Sequence, residues 1–169
     1  VRNDGKNLSE VTLDDSREAL VDIYAYCLMP NHFHLLIREK TDGGISRFMQ
    51  KLTTAYTMYF NMRYQRTGAL FQGTYKASWV GNDRYLLYLI SYIHLNPVKL
   101  IEPEWKNVGI SDKNKVLRYL RSYRYSSFID YCGVQRLEGC LIDKAALPTP
   151  SDQSDYLDKM ISDWFTYQG

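Results

Sequence analysis

The 169-residue chain lacks most of the features that mark the large specialised protein classes. No apolar run approaches the roughly 20 residues that a membrane-spanning helix needs. No N-terminal stretch has the charged, apolar and small-residue order of a secretory signal. The three cysteines, Cys27, Cys132 and Cys140, form no CxxC pair. That excludes a zinc ribbon or a dithiol redox motif and sets the expectation of reduced thiols in a cytoplasmic protein, with Cys27 a small core residue of a strand. No P-loop is present, so nothing points to nucleotide-driven chemistry. Repeats and low-complexity tracts are also missing. The 45% of apolar residues is enough for a core, and the 24% that are charged is ordinary for a globular chain.

The net charge of +2 conceals an uneven distribution. Residues 38–99 hold nine Lys and Arg against three acids, and residues 113–136 hold six against one. From Glu138 onward the balance reverses, with six acids against two lysines. A basic middle is a modest electrostatic hint of nucleic acid and equally describes a solvated surface. Fifteen tyrosines are more unusual. Their rings can stack on bases and their hydroxyls can reach phosphates, although many will be amphipathic residues at the core edge.

Along the chain, a short helix is expected around Asp14–Val21, then a strand over 22–29, a Pro30-Asn31 turn and a returning strand over 32–38. Thr41-Asp42-Gly43-Gly44 breaks the strand, and Phe48, Met49, Leu52, Ala55, Tyr56, Tyr59 and Phe60 then recur at helical spacing up to about Gln65. Residues 70–80 read as strand-like. Gly81-Asn82-Asp83 supplies a turn and an N-cap for a helix from about Arg84 to Asn96, which Pro97 stops. Residues 115–132 are expected to be helical, and 152–167 to form a terminal amphipathic helix. The order strand, strand, helix, strand, helix indicates an α+β sheet with packed helices.

Two short segments carry chemistry. In His32-Phe33-His34 the alternation of side chains across a strand puts both imidazoles on one face, within reach of a common metal ion, and Phe33 on the other. Imidazole suits Mn²⁺, Zn²⁺, Fe and Ni, whereas Mg²⁺ prefers oxygen but accepts nitrogen when phosphate and water complete its shell. A bare HxH also occurs as two exposed histidines of a half-buried strand. In Tyr92-Ile93-His94-Leu95-Asn96, residues four apart share a helix face, so Tyr92 and Asn96 point the same way. The Asn96 carbonyl oxygen is a candidate third ligand, and the Tyr92 oxygen can approach a metal-bound phosphate. Tyr92 could equally be one of several tyrosines that pack this helix. His94 lies off that face and reads as structural or as a DNA contact.

The string from Cys27 to Ile37, containing Met-Pro-Asn-His-Phe-His, resembles the metal-binding strand of the IS200-like, single-tyrosine (Y1) transposases of the HUH endonuclease superfamily. Gly68 to Gln72, Tyr92 to Val98 and Tyr125-Ser126-Ser127 are similar to segments of the REP-associated tyrosine transposases in particular. The resemblance spans roughly Ile23 to Gly133. It implies a ferredoxin-like, RRM-like antiparallel sheet with packed helices over residues 1–138, followed by an acidic extension over 139–169. The opening strand and Arg-Gly turn usual in that family have no recognisable counterpart here. The resemblance further implies His32 and His34 as ligands of a divalent Mg²⁺ or Mn²⁺ and Tyr92 as nucleophile. Asn96 then stands where the insertion-sequence branch commonly has Gln.

On this reading a single-stranded DNA flanked by a hairpin lies along the basic surface. Arg38, Lys51, Arg63, Arg66, Lys76 and Arg84 are candidates for backbone contacts, and Trp79 for stacking on a base. The DNA is cut and rejoined through a 5′-phosphotyrosine without ATP, by a monomer or a homodimer. Three other readings remain open: a domesticated nucleic-acid-binding module without catalysis, a metal-dependent hydrolase using His32, His34 and His94, and a purely structural role for the histidines.

Overall fold

The computed structural model describes residues 18–143, 159–162 and 164. Its architecture is α+β. A hairpin of β1 (Val21–Leu28) and β2 (Phe33–Glu39) is followed by α1 (Gly44–Arg63), α2 (Asp83–Leu95) and a 3₁₀ turn (Asn96–Leu100). Then come α3 (Trp105–Val108), α4 (Lys113–Ser122), α5 (Phe128–Tyr131) and a second 3₁₀ turn (Leu137–Leu141). The two strands form one antiparallel sheet, closed at the turn by the Met29 N–H donating to the His32 carbonyl at 2.8 Å. Among the described residues no helix is long and apolar enough to cross a membrane.

The chain divides into two compact units, Val1–Asp22 with Arg38–Trp79, and Ile23–Ile37 with Val80–Gly169. In the first, Arg38 and Lys40 both pair with Asp22, at 2.7 and 3.1 Å. The Arg38 hydrogen bond is the main reason the Asp22 carboxyl is held below the usual carboxylate range. Gly43, at φ 67°, caps α1 in the left-handed region, and a side chain at Gly44 would run into the Leu20 carbonyl. That explains the consecutive glycines at this strand-to-helix corner. The helix forms where the apolar spacing predicted it, yet Leu52, Tyr56, Met58, Tyr59 and Met62 of α1 are exposed. Periodicity specifies a helix; it does not say what covers its apolar side.

Residues 70–80 do not form the expected strand. Gly68 and Gly73 sit at φ 89° and 73°, which breaks extended geometry, and Trp79 is 86% exposed, so the alternating residues have no buried face to occupy. Side chains tie down this region instead of a ladder: the Asn61 amide donates to the Gly68 carbonyl at 2.9 Å, and Ser46 and Tyr75 hydroxyls meet at 3.2 Å.

The second unit holds the main core. Ala25 and Cys27 of β1 pack with Leu36 of β2 and with Ile90 and Ile93 of α2. A second cluster gathers Leu95, Val98, Trp105, Val116, Leu120 and Phe128 with Met160 and Trp164 from the acidic tail. Burial pushes the Cys27 thiol up to about 12, so it stays a neutral core residue as expected. The open edge of β1 is met by irregular chain. Leu28 N–H donates to the Tyr125 carbonyl, Ser127 N–H to that of Tyr26 and Asp143 N–H to that of Ile23, at 2.8, 3.0 and 2.9 Å. The Asp130–Arg136 pair anchors this edge: Arg136 also donates to the Tyr26 hydroxyl at 2.9 Å and to the Ser126 carbonyl at 2.7 Å.

The expected helix over 115–132 is thereby broken, because residues 123–127 turn aside to pair with β1. Asn82 caps α2 as expected, its side-chain oxygen accepting the Tyr85 N–H at 2.8 Å. Most of the helix expected at Asp14–Val21 lies outside the described residues, and Val21 itself opens β1. Of the terminal helix, 159–162 and 164 are described and helical.

Candidate metal and nucleophile site

The site is assembled from the hairpin turn and α2, both within the second unit. His32 stands exposed just before β2, its Nδ1 2.7 Å from Asn31 Oδ1. A histidine that donates from Nδ1 presents a lone pair at Nε2, the usual arrangement of a metal-ligating imidazole. His34, two residues on, is half-buried, and the two ring centroids are 5.0 Å apart, edge to face. The strand alternation read from the sequence therefore does bring the rings together.

His34 is the more informative of the two. Its Nε2 is buried and has no hydrogen-bond partner among the described residues. Burial above all, then the charges of His32 and Lys106, lower its pKa to about 4. At neutral pH it is a neutral ring whose Nε2 meets no hydrogen-bond partner among the described residues, a costly state unless something else occupies that nitrogen. Imidazoles that ligate one ion at about 2.1 Å bring their nitrogens within about 4 Å, a separation that rings 5.0 Å apart can meet.

Tyr92 lies in α2 with its ring 5.3 Å from that of His34, again edge to face. It is half-buried in a stack, against Tyr88 at 6.3 Å and Trp164 at 5.6 Å, and Lys106 Nζ sits 4.5 Å from its ring centre. Asn96, one turn on, is buried, and its amide nitrogen donates to the Tyr92 carbonyl at 2.7 Å. The carboxamide oxygen is then the atom available as a ligand. Among the described residues no three His, Cys, Asp or Glu side chains group as a metal cage. The two neighbouring imidazoles by themselves would be an incomplete shell, which a cation would have to complete with oxygen ligands.

His94 takes no part in this arrangement. It is fully buried, its Nε2 2.8 Å from Ser127 Oγ, with its ring against Phe128 and Tyr131. Ser127 Oγ in turn accepts the Tyr26 N–H at 2.9 Å. The His94 and Tyr125-Ser126-Ser127 segments thus fasten α2 and the 123–127 chain to β1, which removes the basis for a three-histidine hydrolase.

The expected DNA contacts divide between the two units. Arg38, Lys51, Arg63, Arg66, Lys76 and Trp79 belong to the first unit, and Arg84 to the second. All are exposed, with Arg38 engaged by Asp22 and Arg66 lying 5.5 Å over the Phe60 ring. Sequence reasoning missed Lys106 and Trp164. Neither sits in a motif, and only the packing of α3 and the tail against Tyr92 reveals them.

The His34 environment has a measurable consequence in metal-free protein. The folded ring stays neutral down to about pH 4, whereas an ordinary histidine protonates near 6.5. Below that value the unfolded chain binds a proton that the folded one refuses, so stability falls as pH drops through this window and is unaffected by His34 above it. Wild type should therefore lose on the order of 2 kcal/mol relative to His34→Gln between those limits. A pH-independent difference between their denaturation curves would contradict the assignment.

A family model described as "Transposase IS200 like" matches residues 2–96, more than half of the chain and ending on Asn96. No curated protein and no solved structure matches the chain.

Proposed function

Since the chain belongs to the IS200-like transposase family, we propose that it cuts and rejoins single-stranded DNA next to hairpins, with Tyr92 as the nucleophile. The observation that carries this reading is the edge-on approach of Tyr92 to a half-buried His34 whose Nε2 is unclaimed. The hairpin with α2 packed on it is read as the site-bearing part of a ferredoxin-like, RRM-like HUH fold. A divalent Mg²⁺ or Mn²⁺ held by His32, His34 and Asn96 Oδ1 would supply Lewis-acid polarisation of the scissile phosphate.

The chain's own residues do the rest. The stack of Tyr88, Trp164 and His34 around Tyr92 restricts its ring, which is the positioning that an in-line attack requires. The phenolic oxygen bonds to phosphorus, the phosphorus–O3′ bond breaks, the phenol proton passes to water and the departing O3′ takes up a proton. The products are a 5′-phosphotyrosine and a free 3′-hydroxyl. The protein–DNA bond conserves the phosphodiester linkage, so a second 3′-hydroxyl can reverse the step and join new ends. Exposed Trp79 and the basic residues Lys51, Arg63, Arg66, Lys76 and Arg84, with Arg38, are assigned to strand binding. The working compartment is taken to be the cytoplasm.

A hairpin-bearing single-stranded oligonucleotide, incubated with protein and Mn²⁺, should yield a denaturant-resistant adduct on the 5′-phosphate of the fragment 3′ to the cut, and a free 3′-hydroxyl on the other fragment. EDTA should abolish both. Tight binding with no adduct in any divalent metal would instead identify a non-catalytic nucleic-acid-binding protein.

A further inference from the structure

In the step above, the Tyr92 oxygen becomes negative as its proton leaves. The helical turn α3 brings a cation to the Tyr92 ring. Lys106 Nζ lies 4.5 Å from the Tyr92 ring centre, 5.0 Å from that of Trp164 and 5.8 Å from that of Trp105. Trp105 is buried and packs its ring 5.2 Å from Trp164, which itself stacks on Tyr92. The ammonium therefore sits among three aromatic faces. No carboxylate among the described residues pairs with it. A half-buried ammonium with no carboxylate partner among the described residues is an unusual thing for a protein to hold in place, because its charge is partly desolvated.

We propose that Lys106 is a positioning residue for Tyr92, fixing the ring and offsetting the charge that appears on its oxygen as the phenol proton leaves. This rests on Tyr92 being the nucleophile. The physical argument is one of difference. Over a neutral phenol the ammonium feels only the weak attraction of the ring quadrupole. As the oxygen becomes negative, the same geometry becomes an attraction between charges in a partly dry setting. Only an interaction that strengthens on the way to the transition state accelerates the reaction. Lys106 remains an ammonium throughout, and no proton passes through it.

The same cluster has a purely structural explanation, a cation–aromatic staple between α3 and the tail. Three proteins separate the two: wild type, Lys106→Met, which keeps the alkyl stem and loses the charge, and Lys106→Arg, which keeps a cation able to stack on rings. Single-turnover adduct formation with the hairpin oligonucleotide is measured beside DNA affinity in EDTA and thermal denaturation. Lys106→Met should form adduct about 100-fold more slowly, the scale of one lost electrostatic contact to a developing charge. Lys106→Arg should stay closer to wild type, and DNA affinity should be nearly unchanged in both.

A wild-type rate in Lys106→Met, or equal losses in Met and Arg, overturns the proposal. So does a loss lying wholly in DNA affinity. If Lys106→Met does not fold, Lys106→Gln takes its place under the same criteria. Failure of the nucleophile assignment shows up separately, as an adduct that persists in Tyr92→Phe or never forms in wild type, and either result overturns this inference with it.

Discussion

Tyr92→Phe should form no covalent adduct with DNA, a loss on the order of 10⁴-fold or more in cleavage. The substitution removes one oxygen and nothing else. The phenyl ring keeps the stack with Tyr88 and Trp164 and the edge contact with His34, so the fold and the proposed ligands are left in place. Hairpin affinity measured in EDTA should change by no more than about tenfold, the scale of one hydrogen bond. A structural tyrosine gives the opposite pattern, with altered stability and intact cleavage. If Tyr92→Phe still forms adduct, the nucleophile lies further back in the same stack, at Tyr88 or Tyr85, whose rings are 6.0 Å apart.

His34→Ala should lose both metal binding and cleavage. Its buried Nε2 has no hydrogen-bond partner among the described residues and its ring is neutral at pH 7, so none of these residues competes with a cation for it. Mn²⁺ affinity, read by calorimetric titration, should fall on the order of 100-fold or more. Added Mn²⁺ should not restore cleavage fully. His32→Ala should act in the same direction. His34→Ala also removes the edge contact with Tyr92, worth about 1 kcal/mol, so its melting point should drop more than that of exposed His32→Ala, which loses only the ring contact with His34. Unchanged Mn²⁺ affinity in both variants would leave the pair as ordinary surface and strand histidines, and the proposed chemistry without its cation.

Much of the local structure was legible in advance because it depends on neighbours in sequence. The hairpin follows from two apolar runs around Pro30-Asn31, and the start of α2 from Asn82 and the tyrosine-rich periodic run after it. The HxH pair faces one way because strand side chains alternate with period two, and the rings are indeed neighbours. Residues 70–80 misled for the same reason. They have strand-like composition, but Gly68 and Gly73 sit at positive φ and Trp79 is exposed, so no extended run with a buried face forms. The 123–127 break in an Arg- and Tyr-rich helical run arises because that chain pairs with the edge of β1.

The sequence alone determined which residues could share a face: His32 with His34 by strand alternation, and Tyr92 with Asn96 by the helical turn. Both rules act over a few residues and need no partner. Tertiary structure decided what those faces meet. It set His34 beside Tyr92 across nearly sixty positions of chain, sent His94 into the core against Ser127, and brought Lys106 and Trp164 onto the Tyr92 ring. Long-range contacts of that kind are fixed by burying apolar surface and satisfying β1's open edge, which leave no periodic trace in the sequence.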